Sequence, residues 1–386
     1  MKEFADIYSR SLNRAGEELC GDQIRISRGH HKTRIVLSDG LGSGVKASIL
    51  ATLTAQIVIT MLLHDVSLDD VIETVIATLP VCQVRRIAYA TFTIVEIDES
   101  SYAFKIINFD NPPPIYLKRG QLAQLDQREE TISGKQVTVA EGNLEIGDLL
   151  TVMSDGVWHA GLGKVFNFGW GWDNIAAYLG HSYLEGGRGA KFLVEQVLRR
   201  TEELYGEQPG DDASMVGIYM RPRRSALVFT GPPIHRKDDV KYARRLLDFD
   251  GRHIVCGGTT GEIVARVSGS EIEVDKSTMT REIPPIARLD GVELMTEGVL
   301  TLNKAAEIIE AAGGQLENVP RAKNGAVLLA RELLRADDIS FLVGLQPNPF
   351  YQNPLLPEAI SIRKTLVERL STQLKALHKE VFIEYC

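Results

Sequence analysis

Four aspartates share one setting in this sequence, because each stands next to a glycine or at the junction of an apolar run and a turn. They are Asp22 (Gly21-Asp22), Asp39 (Asp39-Gly40), Asp155 (Ser154-Asp155-Gly156) and Asp211 (Gly210-Asp211-Asp212). Carboxylates that lie close together without a Cys/His cluster suit oxygen-preferring ions such as Mg²⁺ or Mn²⁺ rather than Zn²⁺. Asp-Gly is also a common turn dipeptide, so spacing alone leaves open whether these are four separate turns or one metal centre.

The acidic positions are flanked by sequence that predicts secondary structure. The predicted strands are an edge strand at 24–27, Arg34–Ser38, Leu149–Met153 and Ala213–Met220. After Gly44, apolar residues recur at spacings of three and four, which predicts a helix whose buried face carries Ile49, Leu50, Leu53, Ile57 and Met61. Each aspartate is therefore predicted to lie at the end of a strand, where a turn or a helix begins.

The remaining predicted elements alternate between helical and extended segments. They are a helix over Leu68–Leu79 with Ser67 as N-cap, a hairpin of Ala88–Ile97 and Tyr102–Asn108, a strand at Ile115–Leu117, and helical sequence over Ile175–Leu204 with a break at Gly186-Gly187. A basic, proline-containing segment, 221–224, follows the last strand. It predicts a boundary between two domains, 1–222 and 225–386.

Composition narrows the class of protein. The length of 386 residues suits two domains, and 44% hydrophobic with 24% charged residues is ordinary for a folded cytosolic protein. A net charge of −8 gives no reason to expect nucleic-acid binding. Because the N-terminus lacks an apolar signal and Ile49–Leu63 is short and contains polar residues, we expect a cytoplasmic protein that does not span a membrane. The four scattered cysteines, Cys20, Cys82, Cys256 and Cys386, are predicted to be free thiols.

Taken in order, the acidic motifs resemble those of a known family. The motifs are Gly21-Asp22, Asp39-Gly40-Leu41-Gly42-Ser43-Gly44-Val45-Lys46-Ala47, Ser154-Asp155-Gly156-Val157 and Gly210-Asp211-Asp212-Ala213-Ser214. This set resembles the PPM metal-dependent serine/threonine phosphatases, and most closely their bacterial branch, typified by stage II sporulation protein E. The resemblance covers about residues 1–220. It implies an α+β fold, in which a β-sandwich flanked by helices is followed by a smaller α/β domain.

The resemblance also implies roles for the aspartates. Asp39 would bridge two ions, Mn²⁺ or Mg²⁺, and Gly40 would offer its carbonyl oxygen to one of them. Asp155 and Asp211 would complete one ligand shell, and Asp22 would serve the other. Asp39, Asp155 and Asp211 would then be catalytic, since a water bridging the two ions could attack phosphorus without a covalent phosphoenzyme.

Two positions depart from the family pattern. Leu41 stands where many eukaryotic members have a histidine that is a candidate general acid, and Ser43 stands where bacterial relatives often have one. The leaving group would then take its proton from water or from another residue. Arg25 and Arg34 could hold a substrate phosphate, although a solvated strand charge is the interpretation that we favour for both.

The resemblance therefore predicts a phosphatase that acts on phosphoserine or phosphothreonine of a regulatory protein, of the anti-sigma-antagonist type. The alternative is a catalytically weak or silent signalling protein that binds a phosphorylated partner or a small anion. Retention of all four aspartates favours the enzyme. The absence of histidine at positions 41 and 43 is compatible with the silent signalling protein.

Other interpretations compete for some of these residues. Gly42–Ala47 fits a variant of the dinucleotide-binding loop with Asp65 downstream, but Asp65 follows a helix and not a second strand, which disfavours nucleotide binding there. His30 and His31 could bind a metal, although adjacent side chains on a strand point to opposite faces. Three tryptophans near the third motif could flank a substrate groove or pack beneath a loop. They are Trp158, Trp170 and Trp172.

The second domain is predicted to be α/β, with a role in regulation or in binding a partner or small ligand. Val255–Gly261 could present backbone N–H groups and hydroxyls to an anion, or form a tight turn before a helix. Residues 294–299 and 337–340 echo the third and fourth acidic motifs in the same order. Chance similarity is the interpretation that we favour over a degenerate repeat.

Overall fold

A computed structural model of the chain describes residues 2–29, 31–78, 90–132, 134–346 and 359–386. Cys82 and His30 lie outside the described residues, whereas Cys20, Cys256 and Cys386 are free thiols, as predicted. The chain divides into two units, Met1–Pro222 and Arg223–Cys386.

The first unit is built from antiparallel strands and from helices that flank them. Its strands are β1 (Glu3–Leu12), β2 (Asp22–Arg28), β3 (Lys32–Gly40), β4 (Ala90–Asp98), β5 (Ala103–Phe109), β6 (Ile115–Lys118), β7 (Gln121–Ala123), β8 (Gln127–Ile132), β9 (Lys135–Asn143), β10 (Leu149–Met153) and β11 (Ala213–Pro222). Its helices are α1 (Gly44–Leu63), α2 (Leu68–Thr78), α3 (Asp155–Trp158), α4 (Trp172–Glu185) and α5 (Ala190–Tyr205).

These strands form two sheets that pack face to face. One sheet has the order β2-β3-β4-β5-β9-β8 and the other the order β1-β11-β10-β6-β7. Successive side chains of a strand point to opposite faces, so Ile35 and Leu37 enter the core between the sheets while Val36 packs under α1 and α2. On the far side, α4 and α5 cover the second sheet. The first unit is therefore a β-sandwich with helices on both outer faces, which confirms the predicted fold class.

Most elements of this unit agree with the sequence analysis, but the strands β1, β7, β8 and β9 were not predicted. The segment Glu3–Leu12 has only Ala5 and Leu12 fully buried, so its sequence lacks a clear apolar alternation. It is defined instead by its ten-residue register with β11. Such a strand forms because it pairs with another strand, and its local sequence pattern does not predict it.

Helix α1 is longer than the apolar run from which it was predicted. It spans 20 residues, and by length and composition alone it is apolar enough to cross a membrane. In the structure, small and apolar residues along one side, such as Ala47, Ala51 and Val58, are fully buried against the six-stranded sheet. The opposite side exposes Ile49 and Leu53, which were predicted to be buried, because close packing on the sheet selects the side that carries the small residues.

The second unit contains a largely parallel sheet. Its strands are β12 (Ser225–Thr230), β13 (Arg252–Cys256), β14 (Glu273–Asp275), β15 (Ile286–Leu289), β16 (Val292–Thr296), β17 (Asp338–Val343) and β18 (Glu380–Tyr385). Its helices are α6 (Asp239–Leu247), α7 (Gly258–Ser268), α8 (Val299–Ala311), α9 (Gly325–Arg335) and α10 (Ala359–Ala376). The sheet order is β14-β15-β16-β13-β12-β17-β18, and the pairs from β16 to β18 are parallel. Helices α6 and α7 cover one face, and α8, α9 and α10 cover the other.

The echo between the two halves of the sequence is not a structural repeat. Strands β10 and β11, which flank the third and fourth acidic motifs, pair directly and antiparallel. The corresponding strands of the second unit, β16 and β17, are separated by β13 and β12 in a parallel sheet. Chance similarity of strand ends explains the echo.

Candidate metal centre

The four predicted aspartates come from both sheets of the sandwich. Asp22 begins β2 and Asp39 lies near the end of β3, and the two face each other in the register of these strands. Asp155 is the first residue of α3, directly after β10, and Asp211 lies two residues before β11. Each sheet thus contributes two carboxylates.

A serine hydroxyl joins the two halves of this cluster. The Oγ of Ser154 donates to Oδ2 of Asp22 at 2.7 Å and accepts from the backbone N–H of Ser214 at 2.8 Å. Ser154 and Ser214 are fully buried. A residue between β10 and α3 therefore fixes the orientation of a carboxylate on β2. The sequence analysis included Ser154 in a motif but gave no role to its hydroxyl.

The pKa values show that the carboxylates interact. Burial comes first among the causes that raise the pKa of Asp39 to about 10, and the charges of the other three aspartates come next. Burial also raises the pKa of Asp22 to about 7, although the hydrogen bond from Ser154 opposes the shift. The pKa of Asp211 is raised by burial and by the charge of Asp155. Negative charge accumulates here with little positive charge to offset it.

The residues present suit divalent cations. Oδ1 of Asp22 is buried without a hydrogen-bond partner, and the clustered side chains are oxygen donors. In the part of the chain that the structure describes, no three Asp, Glu, His or Cys side chains are already close enough to ligate one ion. Like charges repel, and a cation among them would offset that repulsion. Asp22, Asp39, Asp155, Asp211 and the Gly40 carbonyl could therefore hold oxygen-preferring ions.

Two glycines of the motifs are required by close backbone contacts. A Cβ on Gly40 would lie 2.1 Å from the carbonyl oxygen of Ala47, in the first turn of α1. A Cβ on Gly156 would lie 2.0 Å from the carbonyl oxygen of Asp212. The chain can bring α1 against the end of β3, and α3 against the start of β11, only because these side chains are absent.

Asp212 is a candidate site residue that the sequence analysis did not assign. Its side chain is 4% exposed, and its Oδ1 accepts from the backbone N–H of Arg14 at 3.0 Å. Its Oδ2 is buried without a partner and faces Gly21, where a Cβ would lie 2.8 Å away. Its charge also contributes to the raised pKa of Asp22. The sequence feature that could have identified Asp212 is its position as the second aspartate of the Gly210-Asp211-Asp212 motif.

The competing interpretations of the first motif do not hold. Strands β2, β3 and β4 are antiparallel, so α1 is not the helix of a βαβ unit that binds a dinucleotide. Asp65 forms an ion pair with Arg34 at 3.0 Å. Arg34 is buried and also pairs with Glu96 at 3.2 Å, so it is neither a solvated strand charge nor available to a phosphate. Ser43 donates to Glu17 at 3.2 Å.

The three tryptophans differ in burial. Trp170 is buried in the core and makes an edge-on contact with Tyr178. Trp158 and Trp172 are partly exposed and, with Phe168, line a groove of about 480 Å³. Trp158 is the last residue of the short helix that begins at Asp155, so this groove starts one helical turn from the acidic cluster.

The raised pKa values predict how the metal-free protein responds to pH. Asp22 and Asp39 have folded pKa values of about 7 and about 10, above the ordinary value of 3.8. Their contribution to stability is therefore complete below pH 3.8 and is lost as the pH rises through 7 and towards 10, by at most about 1.4 kcal/mol per pH unit for each carboxyl. In EDTA, the urea midpoint should be lower at pH 9 than at pH 6. An equal or higher midpoint at pH 9 would contradict the burial and mutual repulsion of these two carboxyl groups.

Solved structures similar to part of this chain include the PP2C phosphatase domain of SpoIIE. The phosphatase domain of SpoIIE from Bacillus subtilis, with a fragment of its regulatory domain, is 18% identical with a TM-score of 0.48, over 57% of this chain and 63% of that chain. The RsbU and RsbW domains of a Mycobacterium tuberculosis protein are 18% identical with a TM-score of 0.46, over 69% of this chain and 70% of that one. RsbX in complex with magnesium is 18% identical with a TM-score of 0.40, over 56% of this chain and 95% of that one.

The chain thus spans less than two thirds of the SpoIIE chain it matches. No curated protein sequence matches it significantly. Residues 29–221, half of the chain, match the family of stage II sporulation protein E (SpoIIE), and they include Asp39, Asp155 and Asp211. The chain belongs to the SpoIIE family of PPM-type phosphatases.

Proposed function

We propose that this protein is a metal-dependent protein serine/threonine phosphatase, with two ions, Mn²⁺ or Mg²⁺, held by the acidic cluster. The observation that carries the proposal is the convergence of Asp22 and Asp39 from one sheet with Asp155 and Asp211 from the other. Ser154 holds the two halves together with a 2.7 Å hydrogen bond to Asp22. Family membership supports the same reaction.

Each residue has a defined part in this proposal. When bound, the ions would lower the pKa of a water molecule and offset charge on the phosphoryl oxygens. Asp39, whose pKa is raised by burial and by the charges of the other three aspartates, would help to hold the ions. The carbonyl oxygen of Gly40 would be a further ligand in this proposal. Ser154 keeps Asp22 oriented by donating to one oxygen, which leaves the unpartnered Oδ1 available as a ligand.

The proposed substrate is phosphoserine or phosphothreonine on a regulatory protein of the anti-sigma-antagonist type, in the cytoplasm. The groove at Trp158, Phe168 and Trp172 supports a protein substrate, because it offers apolar area beside the acidic cluster. Leu41 and Ser43 supply no imidazole. Solvent water is therefore the proposed proton source for the leaving serine or threonine oxygen.

The wild-type protein is expected to hydrolyse p-nitrophenyl phosphate in millimolar Mn²⁺ and to lose this activity in EDTA. The reason is that, among the described residues, little positive charge lies near the acidic cluster to offset the negative charge of the phosphoryl oxygens. The measurement is release of p-nitrophenolate, with a phosphoserine peptide as a second substrate. Recovery of activity when Mn²⁺ is restored excludes irreversible unfolding by the chelator.

The second candidate function is a silent binding protein, which the loss of histidine at positions 41 and 43 favours. Such a protein would bind a phosphopeptide, with or without Mn²⁺, and release no phosphate from it. Absence of hydrolysis on both substrates, in a protein whose melting temperature rises with Mn²⁺, would replace the phosphatase proposal by this one.

A further inference from the structure

The second unit has a sheet edge that brings two helix N-termini together. Strands β13 and β16 are adjacent and parallel, and each leads through a glycine into a helix, α7 or α8. The two turns touch, because the backbone N–H of Gly257 donates to the carbonyl oxygen of Thr296 at 2.8 Å and a Cβ on Gly298 would lie 3.5 Å from Cα of Gly257. Ligands of open α/β sheets bind at this carboxyl edge.

The N-terminus of α7 lacks a capping group among the described residues. It is preceded by Gly257, which has a φ of +129° and no side chain to accept from the first N–H groups of the helix. Those N–H groups have no partner within an α-helix and carry partial positive charge. A Cβ on Gly258 would meet no atom within 4 Å, and Gly258 and Thr259 are exposed. The turn is therefore open to a ligand.

A second observation at this turn points to a ligand. Thr260, the third residue of α7, is fully buried, and its hydroxyl has no hydrogen-bond partner. Its Oγ1 lies 3.3 Å from the position that a Cβ on Gly257 would occupy, so it faces the inside of the turn. A buried hydroxyl without a partner costs free energy. A ligand that accepts a hydrogen bond at this turn would remove that cost.

Helix α8 provides an internal comparison. Thr301 is likewise the third residue of its helix, is fully buried and has a hydroxyl without a partner. There, however, the carboxylate of Glu297 accepts from the backbone N–H of Leu300 at 3.1 Å, so the chain itself places an anion at this N-terminus. The same position on α7 has no such group.

We propose that the turn 257–260 binds the phosphate group of a small phosphorylated molecule. The donors would be the free backbone N–H groups of the first turn of α7 and the hydroxyl of Thr260. Helix N-termini with glycines recur at phosphate sites because backbone and anion can approach closely. The site lies in the second unit and does not depend on the phosphatase activity proposed for the first.

Hydrogen exchange on the full chain in EDTA tests this assignment. Inorganic phosphate, compared with chloride at equal ionic strength, should slow amide exchange within 257–264. Thr260→Val keeps the shape of the side chain and removes no existing hydrogen bond, so the variant should fold normally and need about tenfold more phosphate. Gly258→Asp should abolish the protection, because its carboxylate would occupy the open space at the helix N-terminus.

Thr301→Val is the matched control and should leave the phosphate dependence within about twofold, since Glu297 already caps α8. Adenosine 5′-monophosphate tests whether the ligand is a nucleotide. Protection at a lower concentration than inorganic phosphate requires would identify a nucleotide, whereas protection at an equal concentration would show that only the phosphate group is recognised. Absence of protection at 257–264 with either probe would overturn the proposal. Equal weakening by the Thr260 and Thr301 variants would overturn it as well.

Discussion

Asp39→Asn is expected to lower Mn²⁺-dependent hydrolysis by about 10³-fold while making the metal-free protein more stable. The activity falls because the amide loses the charge that offsets two ions, and several kcal/mol of transition-state stabilisation correspond to this factor. Stability rises because burial and the surrounding carboxylates raise the pKa of Asp39 to about 10, so its ionised form is unfavourable without metal at neutral pH.

The opposite signs of these two effects make the experiment informative. Activity is measured with p-nitrophenyl phosphate in Mn²⁺, and stability by urea denaturation in EDTA at pH 8. Asp69→Asn is the control, because Asp69 is an exposed aspartate in the first turn of α2 and should change activity by less than about twofold. Unchanged hydrolysis in Asp39→Asn would remove Asp39 from the proposed metal site. A loss of both activity and stability would show a structural role instead.

The sequence predicted the acidic site better than its surroundings. Asp39 and Asp155 were found because each ends a clear apolar strand and belongs to a short motif with glycine. The hydrogen bond from Ser154 to Asp22 was not foreseen, since it joins residues 132 positions apart on different sheets. Asp212 was missed for the same reason: its partner Arg14 is at the other end of the unit. Local sequence contains the motifs, whereas contacts between sheets arise only from packing.

For the fold as well, elements defined by local sequence were predicted, and elements defined by distant pairing were not. Helices α4 and α5 were predicted together with the break at Gly186-Gly187, because apolar spacing and glycine act locally. Strand β1 was missed, since it is half-exposed and defined by pairing with β11, about 200 residues away. The second unit was predicted to be α/β, but the parallel order of its strands was not predicted, because order depends on which elements pair.

The sandwich explains why the site is at the end of the sheets. Each sheet alone brings two carboxylates to one edge, and neither pair surrounds a cation. Packing the sheets face to face places the ends of β2 and β3 against those of β10 and β11. The hydrogen bond from Ser154 to Asp22 is a direct contact between these ends. The core between the sheets is therefore a condition for the proposed chemistry as well as for stability.

Gly40→Ala is expected to damage the site severely, although it adds only one methyl group. The added Cβ would lie 2.1 Å from the carbonyl oxygen of Ala47 and 2.9 Å from its Cα. Because these are backbone atoms of α1, the clash can be relieved only if the helix moves away from the end of β3. We expect a loss of about 3 kcal/mol in the free energy of unfolding, the upper part of the range for overpacking.

Hydrolysis should fall further than the unfolded fraction accounts for, because the same movement displaces Asp39 and the carbonyl of Gly40 from the other carboxylates. Urea denaturation and p-nitrophenyl phosphate hydrolysis in Mn²⁺ measure the two effects. Gly258→Ala adds the same methyl where no atom lies within 4 Å, so stability should change by less than about 1 kcal/mol and hydrolysis should be retained. If Gly40→Ala kept both its stability and its activity, the close packing of α1 on β3 would not be what positions the candidate metal centre.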